Sequence, residues 1–252
     1  MPITVEVQGS DAAVMDQRAA TAQRVINCIA LYPPESSRLL CFLDDQDPPE
    51  FATNGFPLRG FRKSIHDSTV LLDWPPRLTD CIYDDNTGFR VVDELVYLFG
   101  STCNGGEVGM TMTLAHELQH TIQRAKSRNL WAANTLIPGL SKDVIDALKL
   151  KWADIPIEKD ARVIAKRVAE NLCGADRVGE YIHKKIVEPG EDVDDWHFVL
   201  KLKPSDSVDL VPETQVLFNR LRGYRLEVEK ALQREKNDPD FNDLDLNDFF
   251  PS

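Results

Sequence analysis

Hydrophobic and polar residues follow two different patterns along this chain of 252 residues, and the change comes near residue 109. Residues 3–7, ITVEV, have the composition of a short strand, and a helix is predicted from Ser10 to about Leu31, ahead of two prolines. Between about 37 and 108, short apolar runs such as RLLCFL, STVLLDW, RVVDELVYLF and GEVGM alternate with turn-forming clusters such as DDQDPPE, TNGFP and DDNTG. This alternation predicts a region of strands and loops.

From about residue 109 the apolar residues recur at helical spacing, and good helix formers dominate. The segments predicted as helices are MTMTLAHELQHTIQRAK, SKDVIDALKLKWAD, PIEKDARVIAKRVAENL and VPETQVLFNRLRGYRLEVEKALQREK. A βα or αβ piece, DDWHFVLKLKP, is predicted between the last two. The pattern predicts an α+β fold in a single domain over 1–252, with a mixed strand and helix lobe over 1–108 and a mainly helical lobe over 109–237.

The last residues differ in composition from the rest of the chain. NDPDFNDLDLNDFFPS contains five aspartates, three phenylalanines and no basic residue. Acidic segments at a chain end that lack a regular apolar pattern often stay disordered. We therefore expect 238–252 to be an acidic tail that is flexible or only loosely docked.

Composition limits the classes of molecule that the protein is expected to bind and the cellular compartment in which it is expected. A net charge of −12 makes nucleic acid and anionic membranes poor partners, because binding them needs clustered Lys and Arg. No apolar run approaches the roughly 20 residues of a membrane span, and MPITVEVQGSDAAVMDQ lacks the features of a secretory signal, so a cytoplasmic protein is expected. The five cysteines are scattered without a CxxC pair, which argues against disulfides and cysteine-ligated zinc.

One short stretch, TLAHELQHTIQ, carries the residues with the most specific chemistry. His116 and His120 are four positions apart, so on a helix their imidazoles lie on the same face one turn apart and can bind one metal ion. Glu117 lies about 100° round the helix, within reach of a molecule at the open position of that ion. This is the spacing of the helical zinc sites of hydrolases, in which the glutamate acts as general base.

A catalytic zinc site needs a third protein ligand. A histidine six positions after His120, preceded by a glycine at three, would complete one known pattern, but Lys126 and Gln123 occupy those positions. The favoured ligand is Glu158, in the first turns of the helix predicted to begin at PIEKDA, 38 positions after His120. Asp160, Asp154, His183 and His197 also stay open as candidates.

These residues resemble the minimal gluzincin metallopeptidases, in which an AHExxH helix is followed by a helix bearing Glu-x-x-Ala. The resemblance covers 109–170. It implies a zincin-like fold, with Zn²⁺ held by His116, His120 and Glu158 and with Glu117 as the general base. The larger thermolysin-like enzymes place an aspartate four residues after the ligand glutamate to orient the first histidine. Here that residue is Arg162, so Asp160 or a backbone carbonyl is expected to take over.

Thermolysin-like sites also bind the peptide along an edge strand just before the metal helix, and NGGEVGM stands at that place in the sequence. Its glycines would permit close approach of a peptide backbone. For stabilisation of the oxyanion the candidate donors are Tyr181 and His183, with Tyr224 and His197 behind them.

The predicted function is that of a zinc-dependent endopeptidase, which hydrolyses peptide bonds in a narrow set of proteins or peptides. A metal-activated water would be the nucleophile, with Glu117 as general base. One alternative is a non-catalytic, metal-containing protein-binding module, in which His183 or Asp160 would close the site as a fourth ligand. Another is a zinc hydrolase acting on a non-peptide amide, which the sequence does not distinguish from a peptidase.

Overall fold

The structure of the protein, a computed structural model, describes residues 3–29, 38–47, 59–65, 76–83, 90–235 and 237–250. The strands are β1 (Ile3–Val7), β2 (Leu39–Leu43), β3 (Gly60–Ser64) and β4 (Glu94–Leu98). The helices are α1 (Ala12–Ile29), α2 (Pro76–Ile82), α3 (Gly100–Asn104), α4 (Glu107–Lys126), α5 (Arg128–Thr135), α6 (Lys142–Leu148), α7 (Pro156–Cys173), α8 (Ala175–Val187), α9 (Val193–Lys201), α10 (Leu210–Arg220) and α11 (Arg225–Glu235). The predicted α+β class is confirmed.

These strands form one mixed sheet in the order β1-β2-β4-β3. β1, β2 and β4 are parallel, while β3 runs antiparallel to β4. The two central strands, LLCFL and ELVYL, are buried at every position, as expected for strands that are covered on both faces. Hydrogen bonds from Phe99 to Arg59 and from Ile65 to Asp93 show that the odd positions of β3 bond to β4, so its even positions turn their backbone groups outward.

Successive side chains of each strand point to opposite faces of the sheet and so belong to two separate cores. On one face α1, α4 and α7 pack over residues that include Leu39, Cys41, Leu43, Val96 and Leu98. On the other face lie Leu40, Phe42, Tyr97 and Phe99, together with Leu78 and Ile82 of α2. α4 runs between the sheet and α7, so residues on its flanks reach both layers.

The helical half of the chain builds two further cores. One is formed by α5, α6, α10, α11 and the last described residues, around Phe218, Trp131 and Phe249. The second joins α4, α7, α8 and α9 around Ile182 and Trp196. No helix in the described part of the chain combines the length and the apolar character that crossing a bilayer requires.

Two segments predicted to contain strands are helical. GEVGM begins α4 rather than forming a strand, because Val108 and Met112 pack against α8 while Met110 packs against the sheet. A helix buried on two faces produces apolar residues at a spacing of two, as a strand does. DDWHFVLKLKP is α9, capped by Asp192, whose side chain accepts from the Asp195 N–H at 3.1 Å.

Two long predicted helices are each interrupted. SKDVIDALKLKWAD contains α6, which ends where Lys149 adopts a left-handed conformation with φ 50°, and a separate 3-10 turn at Trp152–Asp154. The helix predicted from VPETQ to QREK is split into α10 and α11 by a 3-10 turn at Arg222–Tyr224. The predicted strand STVLLDW lies outside the described residues.

Of the segment 238–252, expected to be a flexible or loosely docked tail, the structure describes residues 238–250 and packs them against the helical half of the chain. Phe249 and Phe250 are buried in the core around Phe218. Asp238 and Asp245 cap short 3-10 turns by accepting backbone N–H groups, so these aspartates shape the segment instead of solvating it. The phenylalanines supply the apolar area that holds the segment in place.

Candidate metal centre

α4 and α7 pack side by side and bring three potential ligands together. His116 and His120 lie one turn apart on α4, and Glu158 lies in the first turn of α7, which Pro156 opens. His116 Nε2 is 3.3 Å from Glu158 Oε2, and His120 Nε2 is 3.3 Å from Glu158 Oε1. The two Nε2 atoms are 3.0 Å apart. Among the described residues this is the group of side chains whose ligand atoms converge closely enough to hold one metal ion.

The spacing of these atoms fits a zinc ion. Four ligands at 2.0–2.1 Å in a tetrahedron are separated from one another by about 3.3 Å, and the three measured separations lie within a few tenths of an ångström of that value. Two imidazoles and one carboxylate are also a donor set that catalytic zinc sites use. Both the distances and the types of ligand atom are therefore compatible with Zn²⁺.

His120 is held in the orientation that metal binding requires. Its Nδ1 lies 2.8 Å from Gln123 Oε1, while Gln123 Nε2 donates to the Ile157 carbonyl at 2.9 Å and to Asp160 Oδ2 at 2.8 Å. Because both of these partners are acceptors, the Gln123 amide nitrogen must face them and its oxygen must face His120. Nδ1 of His120 then carries the proton, and the lone pair of Nε2 points toward His116 and Glu158.

Asp160 supports the site and does not join the cluster. Its Oδ2 accepts from Gln119 at 2.6 Å as well as from Gln123. The expectation that Asp160 could orient the first histidine is wrong for the described contacts, because Asp160 instead acts on the second histidine, His120, through Gln123. Sequence reasoning treated Gln123 only as a position that fails to match one ligand pattern. Its place three residues after His120 on the same helix is the signal that could have identified its role.

The remaining candidates for the third ligand are not brought to the cluster. Asp154 accepts from the Lys151 backbone N–H at 2.9 Å in the 3-10 turn before α7. His183 is exposed on α8, with Nδ1 2.8 Å from a backbone carbonyl of its own helix. His197 is exposed on α9. Of the candidates that the sequence offers, Glu158 alone meets both histidines.

Glu158 is itself held by two donors that sequence reasoning missed. Trp152 Nε1 donates to Glu158 Oε2 at 2.7 Å, and Arg162 Nη1 donates to the same oxygen at 3.1 Å. Asp195 in turn pairs with Arg162, with Nε 2.8 Å from Oδ1. Oε2 is thus engaged by donors of this chain, and Oε1 faces His120. Arg162 thus positions the carboxylate of Glu158.

The cluster favours a positive charge between its three side chains. Burial lowers the pKa of His116 to about 4, and the neighbouring His120 adds to this effect. Burial also opposes charge on His120, but the Glu158 and Glu117 carboxylates outweigh it and raise the pKa of His120. Burial acts against the carboxylate of Glu158, yet His120 and His116 hold its pKa well below its usual range. The ionised Glu158 and the neutral His116 are in the states that a cation site needs, while a bound ion would take the place of the proton that the two carboxylates favour on His120.

Glu117 stands beside the cluster without belonging to it. Burial raises the pKa of its carboxyl to about 7, although the side chain keeps some exposure to solvent. It makes no hydrogen bond or ion pair with another residue of the described ranges, so its oxygens are free to meet a bound molecule. A carboxyl group with these properties can exchange a proton near neutral pH.

Comparison of the chain with known proteins finds no matching family model, no similar curated protein and no similar solved structure.

The two candidate oxyanion donors lie away from the cluster. Tyr181 packs against Gly109, where an added Cβ would be 2.8 Å from its hydroxyl oxygen, and against the ring of Trp196. Gly109 precedes His116 by two helical turns, which is about 10 Å along the axis. With His183 exposed on the same helix α8, neither residue is placed against the ligands, and both have packing or local partners instead.

Proposed function

We propose that the protein is a zinc-dependent endopeptidase with a zincin-like fold, related in its active-site design to the minimal gluzincins. The observation that carries the proposal is the convergence of His116, His120 and Glu158 at separations of 3.0–3.3 Å, with Glu117 beside them. A zinc ion held there would lower the pKa of a water molecule and polarise a carbonyl group. Glu117, whose pKa is raised to about 7, would take up the proton and return it to the leaving amine.

The remaining residues of the centre keep the ligands in place. Gln123 and Asp160 hold the ring of His120, and Trp152 and Arg162 hold the carboxylate of Glu158. Such outer partners fix the tautomer and the direction of each ligand, so that little reorganisation is needed when an ion binds. With three ligands from the described residues and not four, one coordination position is left for water or substrate, as hydrolysis requires.

The outer edge of β3 favours a peptide as the substrate over a small amide. Gly60, Arg62 and Ser64 turn their backbone groups away from β4, and no described strand pairs with them, so an extended peptide can add to the sheet there. A Cβ built on Gly60 would lie 3.4 Å from Thr113 Cγ2, and Thr113 shares a face of α4 with Glu117 four residues later. The expectation that NGGEVGM provides this edge was wrong, since that segment is helical.

The reading as a non-catalytic binding module requires a closed site with four protein ligands. Its two suggested fourth ligands have different roles: Asp160 accepts from Gln119 and Gln123, and His183 lies on the exposed face of α8. The arrangement of the described residues therefore supports the hydrolytic proposal more strongly.

Metal analysis joined to an activity assay tests the proposal. Zinc should copurify at about one ion per chain and be lost in His116→Ala, and a mixed peptide library should be cleaved by the zinc-loaded protein. Glu117→Gln should keep the zinc and the fold while hydrolysis falls by a factor of about 10² or more, on the order of what general bases contribute. Zinc retained by His116→Ala, or full activity in Glu117→Gln, would overturn the assignment.

A further inference from the structure

Trp152 presents an exposed aromatic ring beside the ligand cluster. Its indole Nε1 donates to Glu158 Oε2 at 2.7 Å, and His116 Nε2 lies 3.3 Å from that same oxygen. Yet 46% of the residue is exposed. Among the exposed large hydrophobic residues of the described ranges, it is the one aromatic residue. Tryptophan usually buries most of its ring, so this position combines a fixed polar end with an uncovered apolar face.

The ring stands on the side where the cluster meets solvent. The side chain of His116 is 19% exposed and that of Glu158 is 11%, whereas that of His120 is 5%. Trp152 is attached to Oε2, the Glu158 oxygen that faces His116, rather than to Oε1, which faces the buried His120. The exposed indole is therefore bonded to the carboxylate oxygen that also faces His116, the most exposed of the three side chains.

The backbone that carries Trp152 is tightly held. Asp154 accepts from the Lys151 N–H at 2.9 Å, and the Ile155 N–H bonds to the Trp152 carbonyl, which closes the 3-10 turn. Lys151 Nζ is 2.7 Å from Asp194 in the first turn of α9, so an exposed ion pair also links the turn to that helix. A ring fixed at both its backbone and its N–H loses little conformational entropy when a ligand packs against it.

We infer that Trp152 is a specificity-determining residue, an aromatic wall that selects peptides with a large apolar side chain next to the bond that is cleaved. The inference rests on the proposed endopeptidase function and adds its substrate class. Rigid, half-exposed tryptophans are the residues that most often dominate binding of a partner, because they offer much apolar area at little entropic cost.

The test uses binding, so that it does not depend on catalysis. Two fluorescein-labelled peptide pools, capped at both ends, are identical except that the central residue is Phe in one and Ser in the second. Their affinities for the zinc-loaded Glu117→Gln protein are measured by fluorescence anisotropy. We expect the Phe pool to bind about tenfold to a hundredfold more tightly, the range that an apolar pocket contributes to discrimination.

Three variants in the Glu117→Gln background locate that preference. Trp152→Ala should abolish it, while Trp152→Phe should keep most of it, because a ring is retained and only the N–H to Glu158 is lost. Leu226→Ala removes an apolar side chain that is 71% exposed on α11 and should change nothing. Binding of the Phe pool should also shift the tryptophan emission to shorter wavelength in the parent protein but not in Trp152→Phe.

Equal or undetectable binding of the two pools, or a preference that survives in Trp152→Ala, would overturn the inference. The folding of each variant is checked by circular dichroism, and the Trp152→Phe emission measurement applies even if Trp152→Ala is unstable. If the parent protein binds the Phe pool through Trp152 but the wild type hydrolyses no peptide, the proposed function fails, and only the preference of Trp152 for an apolar side chain in a bound peptide stands.

Discussion

Asp240, close to the C-terminal end of the described chain, forms a two-point ion pair with Arg124, one helical turn beyond His120. Arg124 Nε lies 2.8 Å from Asp240 Oδ2, and the second guanidinium nitrogen contacts the second carboxylate oxygen. Arg62 and Ser64 of β3 reach the same carboxylate. The last segment of the chain is therefore tied both to α4, which carries the two histidines of the cluster, and to β3.

Replacing Asp240 should cost much of this attachment. Asp240→Asn keeps the shape of the side chain but removes one of the two carboxylates that pair with Arg124, the second being Glu94, so we expect a loss of about 2 kcal/mol, typical of a hydrogen bond to a charged group. Urea unfolding followed by circular dichroism measures the loss. Asp243→Asn, an exposed aspartate of the same segment, is the matched control and should change the free energy of unfolding by less than about 0.5 kcal/mol. Equal stability of the two variants would show that the ion pair contributes nothing.

The same carboxylate should make stability depend on pH. Burial opposes ionisation of Asp240, but the hydrogen bonds and charge of Arg124 outweigh it and lower its pKa below the ordinary value. A carboxyl whose pKa is lower in the folded state stabilises the protein fully above its unfolded-state pKa of about 3.9, and this contribution is lost as the pH falls through the folded value. The stability difference between wild type and Asp240→Asn should therefore shrink as the pH falls below about 4. A difference that stays constant down to the acid-unfolding limit would contradict the assignment.

Gln123 should control metal affinity without touching the metal. Gln123→Ala removes the acceptor that holds His120 Nδ1, and the loss of such a partner typically weakens metal binding by about 10- to 100-fold. Competition with a zinc-binding dye measures the change. Gln119→Ala is the matched control, because Gln119 shares Asp160 with Gln123 but makes no contact with the ligands in the described structure. If both variants bind zinc equally well, the orientation of His120 does not depend on Gln123.

Glu117 should titrate near neutral pH in the metal-free protein. Burial raises its pKa to about 7, so its carboxyl should lose a proton as the pH rises through that value. Addition of zinc should lower this pKa, because a nearby cation favours the ionised form. Carboxyl resonances followed by NMR in the metal-free and zinc-loaded protein measure both values, and Glu117→Gln identifies the signal. A pKa close to the ordinary value of a glutamate without metal would remove the physical basis for Glu117 as a base at neutral pH.

The part of the centre that could be predicted from the sequence is the part that lies on one helix. His116, Glu117 and His120 are related by the geometry of a single helical turn, which spacing alone specifies. Glu158 was favoured among several open candidates for its place in the first turns of the next helix, and the resemblance over 109–170 implied the same residue. The structure places it against both histidines. By contrast, the contacts of Trp152 and Arg162 with Glu158 were not predicted, since they depend on how separate segments pack.

The fold, too, could be predicted from the sequence only in part. Apolar periodicity was sufficient to predict the α+β class and the helices α4 and α7, because each helix or strand must bury one face whatever its neighbours are. Periodicity was misleading at 108–112, where a helix is buried on two faces. Composition was misleading at the C-terminal segment, where the many aspartates concealed the buried Phe249 and Phe250. Only the tertiary structure decided that β3 lies at the end of the described sheet and that 237–250 is packed. Those features depend on which surfaces remain uncovered after every other segment is in place, a property of the whole chain and of no local stretch.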